Sequence, residues 1–382
     1  MGLRKLAIAT TFSLLAANLF ACGASNAGKT ETTAATTQAA SESSMEESKA
    51  GGEKLKIVAT NFPAYDFARA VTKGEAEVTM LVKPGSETHS YEPSPQDIIT
   101  IQNADLFLYV GGDSDAWVDG ILDSIKKEDS SVFKLMDAVE LMEEEHVEGM
   151  QEEEHDHDHD HDHDHEGESA DHDHEESGDH DHDHEHESDE ANSESHDHDH
   201  DHDHEEVEMD EHVWTSPVNA IQIVKKLEEK LSSLDSAKKE AFEKNTASYV
   251  KELEELDKSF REVVDSGKRK EIIVADRFPF AYFCKEYGLT YFAAFPGCST
   301  DTQPAALTIA FLQDKVKEDG IPVVFHIEMS NEDMVNAISK DTGAKKMLLN
   351  AVHNVTDEDF KAGKTYVDLM KPNVEALKEA LN

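Results

Sequence analysis

Residues 271–294 read EIIVADRFPFAYFCKEYGLTYFAA. The spacing predicts a short strand over 271–275, a helix over 279–287 and a second strand over 289–294. The same rhythm continues downstream: helix 304–318, strand 322–327, helix 331–341, strand 346–349 and a helical stretch over 358–381. Strands alternating with helices imply parallel sheets covered on both faces.

The rhythm also runs upstream of a long helical segment. Strands are expected over 56–59, 77–82, 106–110 and 132–135, with helices over 64–71, 116–125 and after the Ser94-Pro95 start signal. Between the halves, residues 235–264 carry Phe242, Tyr249, Leu253, Leu256, Phe260 and Val263 at the spacing of one buried stripe. About thirty helical residues span about 45 Å, enough to run along two lobes and join them stiffly. The expected fold class is therefore α/β: two lobes, each a parallel sheet flanked by helices, joined by one long rigid helix, with a cleft between them.

A second kind of sequence interrupts the first half. From His146 to His204 the chain is nearly pure Asp-His alternation and holds 18 of the 22 histidines. Residues 143–211 carry 35 acidic groups and no Lys or Arg, most of the formal net charge of −48. With so little apolar surface and so much like charge, this tract cannot fold alone. It offers imidazole and carboxylate at high density, ligands for zinc, nickel or copper, yet no fixed geometry. A specific site must lie elsewhere. The remainder is only moderately acidic, which argues against nucleic acid as a partner.

At the amino end Arg4 and Lys5 precede an apolar run of about fifteen residues, too short for a comfortable membrane span. It ends Leu19-Phe20-Ala21-Cys22, which resembles a bacterial lipoprotein signal in which Cys22 receives lipid. Residues 1–22 are thus read as signal and anchor, and 23–54 as a flexible tether. Residues 55–142 and 212–234 form the first lobe, 143–211 the His/Asp/Glu-rich loop, 235–267 the connecting helix and 268–382 the second lobe. No CxxC occurs. Cys284 and Cys298 form one disulfide or remain two buried thiols.

In parallel sheets, ligands bind beyond the carboxyl ends of the strands. The residues at those places are Asn61, His89, Asp276, Glu328 and His353, and four of the five are metal-ligand types. His212 stands at a helix start on the inter-lobe side. A cleft site would combine His89 and His212 with His353 and either Asp276 or Glu328, imidazoles plus a carboxylate suiting tetrahedral zinc. Asp276 has a rival role as a helix cap or partner of Arg277. His326, between Phe325 and Ile327, reads as a hydrogen-bonded core histidine.

Residues 82–95, VKPGSETHSYEPSP, and His212-Val213-Trp214-Thr215-Ser216-Pro217 resemble the metal-binding motifs of the zinc and manganese solute-binding proteins of bacterial ABC transporters (ZnuA-like). The order of signal, lobe, His-rich loop, long helix and lobe is similar too, over about residues 55–381. The resemblance implies that His89 and His212 are ligands and that the long helix is the rigid backbone. It further implies zinc rather than manganese, and delivery to a membrane permease and its ATPase. The protein would then be an extracytoplasmic or periplasmic monomer, held to the membrane by its lipid. In the second lobe the chain departs from the pattern: Arg277 falls where the family commonly has a ligand, and arginine cannot bind a cation. Asp276 and His353 are the available substitutes.

The mechanism so implied is loose capture of zinc on the tract followed by tight binding in the cleft. The alternatives are a manganese-specific binder, a zinc buffer or surface adhesin without transport, and an extracellular zinc hydrolase. The last would need a base such as Glu87 or Glu92 and an open metal position; no HExxH is present. A non-enzyme is expected.

Overall fold

Two four-stranded sheets, parallel throughout, carry the chain. The computed structural model describes residues 53–150, 208–299 and 303–382. The expectations for Cys22, for nearly all of the tether and for most of the His/Asp-rich tract lie outside these residues.

The first sheet contains β1 (Leu55–Ala59), β2 (Ala76–Met80), β3 (Leu106–Tyr109) and β4 (Val132–Lys134), in the order β2-β1-β3-β4. All four residues of β3 are buried, as an unbroken apolar run covered on both faces requires. Helices α1 (Phe62–Thr72), α2 (Pro95–Gln102) and α3 (Trp117–Ile125) connect these strands. Asn61 caps α1 by accepting from the Ala64 amide at 3.3 Å, so this residue past β1 serves the helix.

After the tract come α4 (Pro217–Leu234) and α5 (Lys239–Ser266). The expected single helix from residue 235 begins instead with a 3-10 turn at Ser236–Lys238. Asp235 leaves the helical region and its side chain accepts from the Ala237 amide, which separates the two helices. The 28 residues of α5 span about 42 Å. Its buried stripe is the one read from the sequence.

The second sheet holds β5 (Glu271–Arg277), β6 (Thr290–Phe295), β7 (Val323–His326) and β8 (Lys345–Leu348), ordered β6-β5-β7-β8. This half also contains α6 (Ala281–Tyr287), α7 (Ala306–Glu318), α8 (Asp333–Thr342), α9 (Asp357–Ala362) and α10 (Tyr366–Leu381). The last two were expected as one helix. Gly363, at φ 74°, ends α9, and Thr365 opens α10 with a capping box to Asp368.

Helix α5 packs on α4 and α1 on the first-lobe side and on α10 and α6 on the other. A buried pin supplements it: Asp66 of α1 accepts from Arg69 at 2.6 Å, from the Tyr366 amide at 2.7 Å and from the Tyr249 hydroxyl at 3.3 Å. One apolar cluster consequently runs from the first sheet through α5 into the second.

Both ends of the acidic tract are fastened. Glu143 and Met209 pair in an antiparallel bridge, and the Tyr282 hydroxyl of α6 donates to the Asp210 carbonyl at 2.9 Å and accepts from the Met142 amide at 3.1 Å. Cys284 and Cys298 are both free thiols.

Candidate metal centre

His89 sits in the loop between β2 and α2, His212 just before the 3-10 turn Val213–Thr215 that leads into α4, and His353 in the loop after β8. The three rings meet, His353 edge-on to both others and His89 tilted against His212, with centroids 5.6 Å (His89–His212), 5.3 Å (His89–His353) and 4.9 Å (His212–His353) apart. One ligand nitrogen from each lies within 4.8 Å of the others.

The two nitrogens of each ring have different surroundings. His89 Nδ1 is 2.8 Å from Ser114 Oγ, whose hydroxyl in turn donates to Glu211. His212 Nδ1 is 2.8 Å from Asp210 Oδ1, and His353 Nδ1 is 3.1 Å from Glu328 Oε1. All three Nε2 atoms are buried without any hydrogen-bond partner. A buried polar nitrogen left unpaired is costly. Three of them converging on one point, each with its Nδ1–H fixed by an oxygen, is the arrangement a bound divalent cation relieves.

The loops are built to hold these rings. Glu328 accepts from the amides of Ala351 (2.7 Å) and His353 (2.8 Å). Between them Val352 sits at φ 60°, a left-handed position costly for a β-branched residue, and its amide is taken by Asn350 Oδ1 at 2.8 Å. The Trp214 indole donates to the Ala351 carbonyl at 2.8 Å and lies against both His212 and His353. At Gly297 an added Cβ would stand 2.9 Å from His212 Cε1 and 3.0 Å from Nδ1, so only glycine lets that backbone approach the ring.

Residues 57–380 match the family described as ZnuA, zinc-uptake complex component A periplasmic. This chain belongs to the ZnuA family.

Among relatives, the zinc-binding lipoprotein AdcA of Streptococcus pneumoniae is 33% identical over 326 residues, 85% of this chain and 56% of the relative. The chain thus spans little more than half the length of that protein. The high-affinity zinc uptake system protein ZnuA of Bacillus subtilis is 31% identical over 330 residues, 86% of this chain and 88% of the relative. Among solved structures, the Zn(II)-bound ZnuA-like domain of S. pneumoniae AdcA is similar with a TM-score of 0.62 and 30% identity, over 86% of this chain and 99% of that one.

In this ZnuA-family chain the two carboxylates expected as alternatives for a fourth ligand stand outside the histidine cluster. Glu328 is spent on the His353 ring and two amides. Asp276 Oδ1 accepts from the Arg277 amide at 3.0 Å, and its Oδ2 lies 3.5 Å from the Ile327 amide, so it ties β5 to the segment after β7. The register of β5 against β6 shifts between Val274 and Arg277, which re-aims this strand end. His326 also stands apart, its Nδ1 3.0 Å from the Ile327 carbonyl, in keeping with a structural histidine.

Electrostatics differ around the ring of three. Burial, joined by the neighbouring His353, His212 and Arg277, holds His89 well below the usual imidazole range. Burial also lowers His353, against the pull of Glu328. At His212 burial acts the same way, but Asp210 and Glu211 override it and the pKa is raised. Burial pushes Glu211 up to about 7.

The sequence reading missed Ser114, Asp210 and Glu211. For two of these a signal was present: Asp210 and Glu211 directly precede His212, where they read as the tail of the acidic tract. Ser114 had none, because it reaches His89 across 25 positions of chain.

Proposed function

We propose that this chain is a zinc-binding, non-enzymatic component of an ABC uptake system that captures extracytoplasmic Zn2+ and passes it to the membrane permease. The ion would be held by Nε2 of His89, His212 and His353. The observation that carries this reading is the convergence of three buried, unpartnered Nε2 atoms, each on a ring oriented through Nδ1. An all-imidazole set suits zinc, whereas manganese prefers oxygen donors. The names of the relatives AdcA and ZnuA point the same way. Catalysis is disfavoured by the state of Glu87, the nearest expected base, whose carboxylate is taken by Arg277 and the amides of Thr88 and His89.

The wider reading has the chain working as a monomer, anchored by lipid on Cys22, with the His/Asp tract gathering zinc beside the cleft. The fastened neck supports that last role, since it leaves the two ends of the tract immediately before His212. The test is metal content and affinity of a chain lacking residues 151–207, a cut that preserves the neck. One tightly held zinc is expected, lost on His89→Ala, His212→Ala or His353→Ala. Retention of that zinc in all three variants would overturn the assignment.

A further inference from the structure

The loop over residues 83–92 belongs by connectivity to the first sheet, yet many of its hydrogen bonds go to the second lobe. The Gly85 amide donates to the Val355 carbonyl at 2.9 Å, and Asn354 Nδ2 donates to the carbonyls of Lys83 and Ser86, both at 2.8 Å. Nearer the histidine, Arg277 at the end of β5 forks onto Glu87, with Nη1–Oε1 3.3 Å and Nη2–Oε2 3.1 Å. Glu87 Oε1 also accepts from the backbone amides of Thr88 (3.0 Å) and His89 (3.2 Å). A chain of contacts thus leads from a second-lobe guanidinium, through one carboxylate, to the backbone of a first-lobe histidine.

The two attachments differ in character. Asn354 is 2% exposed and its bonds are sheltered. Glu87 is 46% exposed at its side chain and Arg277 13%, so water reaches this pair. A small pocket, lined among others by Glu87, Arg277, Glu328 and His353, lies beside the pair and borders the histidine cluster. The fork is therefore the breakable part of the seam between the lobes, next to an opening onto the rings.

We propose that Arg277 is a positioning residue: through its fork with Glu87 it holds the His89 loop against the second lobe and sets how slowly zinc leaves the cleft. This deepens the three-histidine reading above and rests on it. Arg277 ties down the loop that presents His89 through the Glu87 carboxylate, which in turn accepts from the Thr88 and His89 amides. Lysine in its place would keep the charge but lose the fork.

The rival account, pure electrostatics, makes an opposite forecast for the two partners. Removing a cation beside the site would tighten zinc, and removing an anion would loosen it. A clamp loosens zinc whichever partner is removed. The test uses the full-length protein loaded with one equivalent of zinc and mixed with excess chelator. Release is followed by fluorescence of Trp214, whose indole lies 5.4 Å from the His212 ring and 5.7 Å from that of His353. The slow phase that vanishes in His89→Ala reports the cleft; if no such phase exists, the site reading itself has failed. Given that phase, Arg277→Ala and Glu87→Gln should each release zinc about tenfold faster, the scale of one charge-assisted fork. The double variant should go no faster than either single one, and Arg277→Lys should fall between wild type and Arg277→Ala. Slow phases unchanged in both single variants, or changed in opposite directions, would overturn the clamp.

Discussion

Glu328 Oε1 accepts from both the amide and the ring Nδ1 of His353, at 2.8 and 3.1 Å. One carboxylate thereby fixes the position of a loop and the tautomer of its histidine. That dual contact explains why a residue of ligand type, at a strand end beside the cluster, orients the ring of His353, a proposed ligand. Glu328→Gln keeps the volume but loses the charge-assisted bond to the ring. Zinc affinity should fall about 10–100-fold, the range for partners of metal-bound histidines, with one site retained by titration calorimetry. Complete loss of the site would mean Glu328 binds the ion itself.

Asp276 makes the opposite case. Its oxygens serve backbone amides on β5 and after β7. Asp276→Asn should lower the melting temperature and leave zinc affinity unchanged. A fall in affinity comparable to that of His353→Ala would return it to the coordination sphere.

Ser114 links His89 to Glu211. Ser114→Ala leaves His89 Nδ1 with only Glu211 Oε1, 3.5 Å away, so the ring is held more loosely. A loss of about 10–100-fold in zinc affinity is expected, with the fold intact by circular dichroism. An unchanged affinity would show that the ring is held by packing alone.

Zinc takes neutral imidazole, so protons compete with it. His212 is raised above 6.5 and protonates first as the pH falls, whereas His89 and His353 lie below that value and protonate later. Affinity should therefore begin to fall already above pH 6.5, initially by one proton per zinc. Asp210→Asn removes the carboxylate that raises His212 and should move the onset to lower pH. The metal-free fold has its own dependence. His89 and His353 take up protons in the unfolded chain before the folded one, so their contribution to stability is lost as pH falls below 6.5 toward their folded values. An onset that stays in place in the Asp210→Asn variant would contradict this account.

Gly297 touches the His212 ring where no side chain fits. Gly297→Ala should push that ring off the common point and weaken zinc, and, since the new Cβ also meets the Phe278 carbonyl, lower the melting temperature of the metal-free protein. Unaltered affinity would mean the loop yields without moving the ring.

The alternation of strands and helices over residues 55–110 and 271–349, and the apolar stripe of α5, were set by local periodicity. Side-chain direction follows directly from the 2.0 and 3.6 repeats, so the sheets and the spine could be read without coordinates. His89 and His353 could be nominated because strand ends in parallel sheets are where ligands gather, a rule of topology, and His212 by its place at a helix start on the inter-lobe side and by the motif resemblance. Which group faces the common point was not decided there. Asp276, Glu328 and Arg277 all stand at strand ends, and the outcome turned on a register shift in β5, a left-handed Val352 and hydrogen bonds between the lobes such as Arg277–Glu87, 190 positions apart. Orientation of a side chain is a property of the packed neighbours that compete for its polar atoms, and those neighbours are assembled only when distant segments fold together.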